Sequence, residues 1–157
     1  MLIRNKLIMT EKEKDLLIKD LCARLNTNLV CSIYRVDDQG VGYRDEILHG
    51  YYKNNTGYEF YFGEDCGISV DNVSKIKPYL FPLLSITKEQ LFEVQEILGK
   101  NEIEVDDGFL HIINSDRNTI TYLELLALLE WFYKNHFDIY GLIHMGLAID
   151  ATNLNIY

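Results

Sequence analysis

Apolar residues recur at helical spacing in three stretches of the chain, and each stretch follows a threonine that can cap a helix. A threonine followed three residues later by Glu or Gln forms a capping box, in which the threonine side chain accepts a hydrogen bond from a backbone N–H of the first helical turn. The boxes are Thr10-x-x-Glu13, Thr87-x-x-Gln90 and Thr121-x-x-Glu124. This pattern predicts helices over about 11–25, 88–98 and 122–134.

The predicted helices differ in how their apolar residues are distributed. The first has an apolar stripe containing Leu17, Leu21 and Leu25, and its opposite face is charged. The third is apolar nearly all round, because its only acidic residues are Glu124 and Glu130. A helix with this pattern is covered on several sides. We therefore expect the third helix to be the central element of the core, or also to contact a partner chain.

Between the helices, apolar and polar residues alternate with the period of a β-strand. Strands separated by turn residues are predicted at 29–36, 41–52, 58–62, 68–70, 102–105 and 109–113. Pro78 and Pro82 predict an extended link between them and not a strand. The order of elements predicts an α+β fold, in which an antiparallel sheet of about four to six strands packs against three helices, the last one central.

Length and composition indicate one globular domain. The 157 residues are 48% hydrophobic, which is enough to bury a core. We expect a single domain over 1–157, with 1–8 as an N-terminal extension. No apolar run reaches the ~20 residues of a membrane span, and the N-terminus does not match a signal peptide. Three cysteines (Cys22, Cys31 and Cys66) form no even set for a disulfide framework. These features predict a cytoplasmic protein that does not bind membranes.

The charge balance argues against one class of partner. The chain has 15 Lys and Arg residues against 24 Asp and Glu residues, which gives a formal net charge of −9. Proteins that bind nucleic acid through its phosphates usually present a basic face. We therefore expect no direct nucleic-acid binding. A basic protein partner is compatible with this charge.

Candidate chemistry is sparse. The chain has no Gly-x-Ser-x-Gly, Walker-type or dinucleotide-binding motif, so we expect neither an enzyme nor a cofactor. His136, Asp138 and His144 are residue types that bind zinc or another first-row metal, although their spacing matches no standard metal motif. A metal-dependent hydrolase built on them is one alternative. In the other, His136 caps the carbonyls at the end of the third helix and Asp138 caps the turn that follows.

Tyrosine is the unusual residue in this composition, with 11 copies, several of which lie on the predicted strands. A sheet face that exposes tyrosines offers large, rigid contact area to a protein partner. The same rings can stack on a nucleotide base while Arg35, Arg44 or Lys53 contacts its phosphates. The candidate binding residues for either role are Tyr43, Tyr51, Tyr58, Tyr61, Arg35 and Arg44.

Three stretches resemble a family of small uncharacterised proteins encoded by phages and mobile elements of gut bacteria. They are Met9-Thr-Glu-Lys-Glu-Lys-Asp-Leu-Leu-Ile-Lys-Asp-Leu-Cys-Ala-Arg-Leu25, Lys75-Ile-Lys-Pro-Tyr-Leu80, and Asn135-His-Phe-Asp-Ile-Tyr-Gly-Leu-Ile143 with Gly146-Leu-Ala148. Phe81 and His144 depart from the family pattern, which commonly has Arg and an acidic residue there. The departure at His144 argues against a metal site as a family feature.

The resemblance implies a biological setting and no mechanism. Together with the absence of catalytic motifs, it leads us to expect a non-catalytic accessory protein in the host-cell cytoplasm. Such a protein would bind a host or phage protein, for example in counter-defence, and its third helix could support a homodimer. The alternative is a small-ligand binder that sequesters a nucleotide-type signal.

Overall fold

The computed structural model describes residues 8–38, 40–63, 68–99, 102–107, 109–114 and 120–157. Within these residues the chain forms three α-helices and eight β-strands. The helices are α1 (Glu11–Ala23), α2 (Lys88–Ile97) and α3 (Tyr122–Lys134). The strands are β1 (Val30–Asp37), β2 (Gly40–Asn54), β3 (Gly57–Phe62), β4 (Ile68–Val70), β5 (Ile76–Leu80), β6 (Glu102–Asp106), β7 (Phe109–Asn114) and β8 (Ile149–Asp150).

Each α-helix begins at the threonine that the sequence predicts. In all three capping boxes the threonine hydroxyl accepts from the third N–H of the helix, and the Glu or Gln side chain accepts from the threonine N–H. At α3, for example, the Thr121 N–H donates to Glu124 Oε2 at 2.7 Å. Because a capping box needs only residues of one turn, the local sequence is sufficient to place these starts.

The sheet confirms the α+β fold. In the part of the chain that the structure describes, six strands form one sheet in the order β4-β3-β2-β1-β5-β8. All neighbouring strands are antiparallel except β5 and β8, which run parallel. β6 and β7 form a separate two-stranded sheet. The sheet is therefore mixed but mostly antiparallel.

β5 corrects the prediction of an extended link between the two prolines. It lies between β1 and β8, with Pro78 opposite Cys31. The described pairing with β8 begins only at Tyr79. Proline lacks the N–H of a regular ladder and is usually confined to sheet edges or strand starts. Pro78 lies just before the two residues of β5 that pair with β8, so no N–H donor toward β8 is required at its position.

The buried apolar residues form two clusters. The larger one packs α1 against one face of the six-stranded sheet, with residues such as Leu17, Ile33 and Phe60 fully buried. The smaller one joins α2, α3 and β6 around Phe137. A hydrophobic cluster of this kind holds elements together in proportion to the apolar area it removes from water.

The prediction that the third helix is central is not confirmed. Leu128 and Phe132 of α3 are buried, and both belong to the smaller cluster. Tyr122 and Leu123, in the first turn, are 73% and 75% exposed. Helical periodicity gives the apolar positions of a helix but not which of them are covered, because the covering residues come from other parts of the chain.

Candidate functional site

The hairpin of β1 and β2 extends beyond the rest of the sheet. β1 pairs with β5 only through residues 31–33, and the paired positions of β2 with β3 begin at Leu48. Within the described residues, 34–37 and 40–43 therefore pair only with each other. We call residues 34–37 and 40–43 the ribbon. A two-stranded ribbon is marginally stable in water unless something packs on one of its faces.

One face of the ribbon is apolar and aromatic. Tyr34 lies opposite Tyr43, and Val36 lies opposite Val41. Directly opposite residues share a face, and the two tyrosine rings meet edge to face with centroids 5.3 Å apart. Val36, Val41 and Tyr43 are 73%, 64% and 63% exposed. We call these four residues the ribbon face.

The sheet divides the predicted tyrosines between its two sides. Tyr61 lies between the buried Phe60 and Phe62, so it points to the side that carries the ribbon face. Tyr58 and Tyr51 lie on the core side, where Tyr51 is opposite Phe60. The pairing of β2 is irregular between Leu48 and Gly50. The extra residue there reverses which side of the sheet the following side chains of β2 lie on, and this places Tyr51 on the core side.

The predicted arginines lie on the core side as well. Arg44 is opposite the buried Ile33, and Arg35 lies two residues beyond Ile33 on the same strand. They therefore lie on the opposite side from Tyr43, and a base stacked on Tyr43 would not share a face with them. Lys53 lies beside one of the predicted tyrosines: its Nζ atom is 5.3 Å from the ring centroid of Tyr58.

A buried polar centre lies where the two apolar clusters meet. Its central residue is Arg24, which is not among the predicted site residues. Arg24 and Asp20 are both fully buried and form a two-pronged ion pair, with N–O distances of 2.8 and 2.9 Å. Arg24 also donates to the carbonyls of Phe137, at 2.7 Å, and Tyr133, at 3.4 Å. Burial raises the pKa of Asp20, and the hydrogen bond from Arg24 opposes that change.

The sequence contains a signal for this ion pair. Asp20 and Arg24 lie three and seven residues after Leu17, which are positions of the apolar stripe of α1. A charged residue on such a stripe has to be paired when it is buried. The pair holds α1 against the end of α3 through the two carbonyls that Arg24 contacts.

His136 ends α3 in a left-handed conformation. Its φ of 59° is typical of the residue that follows the helix cap in a Schellman motif. Its backbone N–H donates to the Tyr133 carbonyl at 3.1 Å, and the next N–H, of Phe137, donates to the Phe132 carbonyl at 3.0 Å. The helix end is therefore capped by backbone N–H groups and not by the imidazole.

The imidazole of His136 is buried and stacks on Tyr157, with centroids 4.0 Å apart and ring planes inclined by 8°. Among the described residues, its Nδ1 atom has no hydrogen-bond partner. Burial, with a smaller contribution from the Arg24 charge, lowers the pKa of His136 to about 4. The ring is therefore neutral at physiological pH.

Asp138 has the structural role that the sequence predicts as one alternative. Its two carboxylate oxygens accept from the backbone N–H groups of Leu142, at 2.9 Å, and Ile143, at 2.8 Å. His144, the third candidate metal ligand, is exposed. In the described part of the chain, no group of three or more His, Cys, Asp or Glu residues is arranged to hold a metal ion.

Two of the three cysteines can be placed. Cys31 is fully buried and Cys22 is partly buried; both are free thiols. Burial raises the pKa of both, which reduces the thiolate fraction and hence the reactivity. Cys66 lies outside the described residues, as do Glu64 and Asp65.

None of the described helices has the length and apolar character needed to cross a membrane.

Comparison with known proteins assigns neither a family nor a function to the chain. The resemblance to a phage and mobile-element family remains a prediction. No protein-family model matches the chain, and no curated protein and no solved structure matches it.

Proposed function

We propose that this protein is a non-catalytic binding module that docks a protein partner on the ribbon face. The observation that carries the proposal is a set of two cross-strand pairs, Tyr34 with Tyr43 and Val36 with Val41, in which Tyr43 and both valines are exposed. Tyrosine supplies much of the binding energy in protein interfaces, because it buries a large rigid ring and keeps a polar tip.

The setting of this function rests on the sequence alone. The resemblance to proteins of phages and mobile elements leads us to place the partner among host or phage proteins, with counter-defence as one role. The net charge of −9 favours a basic partner, because opposite charges steer the two proteins toward each other. We propose the host cytoplasm as the place of action.

Two tyrosines make a matched test of the docking surface. Tyr43 on the ribbon and Tyr122 on α3 are similarly exposed, at 63% and 73%. Proteins captured from host lysate by the wild-type chain are identified, and the affinity of each is then measured for Tyr43→Ala and Tyr122→Ala. We expect Tyr43→Ala to lower the affinity for the specific partner by at least about 30-fold, which is the effect of a hot-spot residue worth about 2 kcal/mol. We expect Tyr122→Ala to leave this affinity unchanged.

The two variants separate the alternatives. Loss of binding only in Tyr122→Ala would move the interface to α3, where the sequence also predicts a contact with a partner chain. Equal binding by the wild type and both variants would refute docking at either surface. Far-UV circular dichroism of each variant shows whether it is folded, which is expected because both side chains are exposed.

A nucleotide-type ligand is the second candidate, and one observation favours it. Tyr51 and Tyr58 have ring centroids 5.8 Å apart, and the Lys53 ammonium lies beside the Tyr58 ring. This places two stacking surfaces next to a cation that can contact a phosphate. A nucleotide at ~100 times its dissociation constant stabilises a protein by about 2.7 kcal/mol, which a thermal-shift screen detects. No shift with any nucleotide, at concentrations up to the millimolar range, would exclude this candidate.

A further inference from the structure

The Tyr157 side chain fills a slot between the start of β1, the end of β5 and the end of α3. The Tyr157 hydroxyl donates to the Tyr79 carbonyl at 2.8 Å and accepts from the Val30 N–H at 3.4 Å. One side of the Tyr157 ring stacks on His136, and the Phe81 ring lies 5.8 Å away, inclined by 51°. The slot therefore has aromatic walls, and one hydrogen-bond acceptor and one donor meet at its inner end.

The chemistry of the slot selects a neutral phenol. The ordinary pKa of tyrosine is about 10, so the Tyr157 hydroxyl is protonated at neutral pH and donates to the Tyr79 carbonyl; burial raises this pKa further. An aromatic ring without a hydroxyl would not make the part-buried hydrogen bond to the Tyr79 carbonyl or the exposed one from the Val30 N–H. His136 Nδ1 adds a buried polar atom with no partner among the described residues. Unsatisfied atoms of this kind are rare, and functional sites are one of the places where they occur.

The segment that carries Tyr157, residues 152–157, is mostly exposed. Ala151 is buried and its N–H donates to the Leu80 carbonyl at 2.9 Å, whereas residues 152–155 are exposed. Tyr157 is itself 46% exposed. The described pairing of β8 with β5 ends at Asp150, so displacement of the Tyr157 ring does not require any strand of the sheet to separate.

We propose that this slot is a binding site for small phenolic ligands, which Tyr157 occupies in this structure. A ligand of this class binds when the Tyr157 ring leaves the slot. The site is separate from the ribbon face, and it neither needs nor excludes docking of a protein there.

The test replaces the tyrosine by a free phenol. Tyr157→Gly empties the slot, and its thermal midpoint is measured with increasing p-cresol, which has the ring and hydroxyl of tyrosine. We expect the midpoint to rise saturably in Tyr157→Gly. We expect the wild-type chain and Tyr157→Phe to show no comparable rise, because a covalently attached ring competes at an effective concentration in the millimolar range. Toluene, which lacks the hydroxyl, should bind Tyr157→Gly about tenfold more weakly.

Each outcome decides the proposal. An absent shift in Tyr157→Gly overturns it, and so does an equal shift with p-cresol and toluene, which would indicate an unspecific apolar cavity. If Tyr157→Gly is unfolded, p-cresol should restore its far-UV circular dichroism, and failure to do so also overturns the proposal. In the folded variant, the ring protons of His136 should shift in NMR spectra on p-cresol binding, which locates the ligand in the slot.

Discussion

Removing Arg24 tests whether the buried ion pair links the two apolar clusters. In Arg24→Met, the Asp20 carboxylate loses both hydrogen bonds of the pair while it stays fully buried. The carbonyls of Phe137 and Tyr133 lose a donor as well. Breaking a buried pair by removing one partner typically costs about 3–5 kcal/mol, because it leaves an uncompensated charge. We expect a loss of this size in the free energy of unfolding, measured by urea titration at pH 7.

The charge explanation also makes a prediction about pH. The pKa of Asp20 is already raised by burial, and without the Arg24 charge it rises further. A group whose folded-state pKa lies above its unfolded value contributes stability at low pH and loses it as the pH rises. The deficit of Arg24→Met should therefore be largest near neutral pH and shrink as the pH falls toward 4.

A double variant and an exposed control complete the experiment. Asp20→Leu combined with Arg24→Met removes both charges, and it should be more stable than Arg24→Met alone. Lys14→Met, which breaks a surface ion pair with Glu11 on the same helix, should change stability by at most about 0.5 kcal/mol. A loss below about 1 kcal/mol in Arg24→Met, with no dependence on pH, would refute the reasoning.

Two further predictions concern the end of α3. The pKa of His136 is lowered to about 4, against about 6.5 in the unfolded chain, so its contribution to stability is complete above pH 6.5 and is lost as the pH falls toward 4. The reference is His136→Asn, because asparagine tolerates the same left-handed backbone conformation. Relative to this variant, the wild-type free energy of unfolding should fall by at most about 1.4 kcal/mol per pH unit as the pH is lowered from 6.5 toward 4. The exposed control His144→Asn should show the same slope as the wild type. Asp138→Ala should lower the free energy of unfolding, measured by urea denaturation, by about 1–3 kcal/mol, because the N–H groups of Leu142 and Ile143 lose their acceptor. Asp138→Asn keeps one carbonyl oxygen and should lower it less. Equal stability of the wild type and both variants would contradict the capping role.

Local signals in the sequence were sufficient for many elements. The three helix starts, the β1–β2 hairpin and the β6–β7 hairpin all lie where the sequence predicts them. A capping box or a tight turn needs only residues within four positions of each other, so no other part of the chain is required to determine it. Asp138 belongs to the same class, since its partners are four and five residues away.

Pairing between distant segments was not predictable in the same way. β5 contains a proline and has no strand signature of its own, yet β1 and β8 pair with it on both sides. The irregularity in β2 lies beside Gly50, and a glycine inside a strand often marks a bulge, but the glycine alone does not give the pairing register that places Tyr51 on the core side. The candidate binding residues therefore do not share one face, and their role in binding stays a prediction.

The sequence by itself determined the fold class, the helix starts, the strands of the hairpins and the tyrosine-rich strands, because each depends on neighbouring residues and on the period of the apolar pattern. Only the tertiary structure decided which apolar residues are covered and which polar residues meet. Arg24 donates to the carbonyl of Phe137, 113 positions further along the chain, and the Tyr157 hydroxyl binds the carbonyl of Tyr79, 78 positions before it. Such contacts form only after the sheet and helices have packed, since no local periodicity specifies which distant backbone group will lie within hydrogen-bond distance.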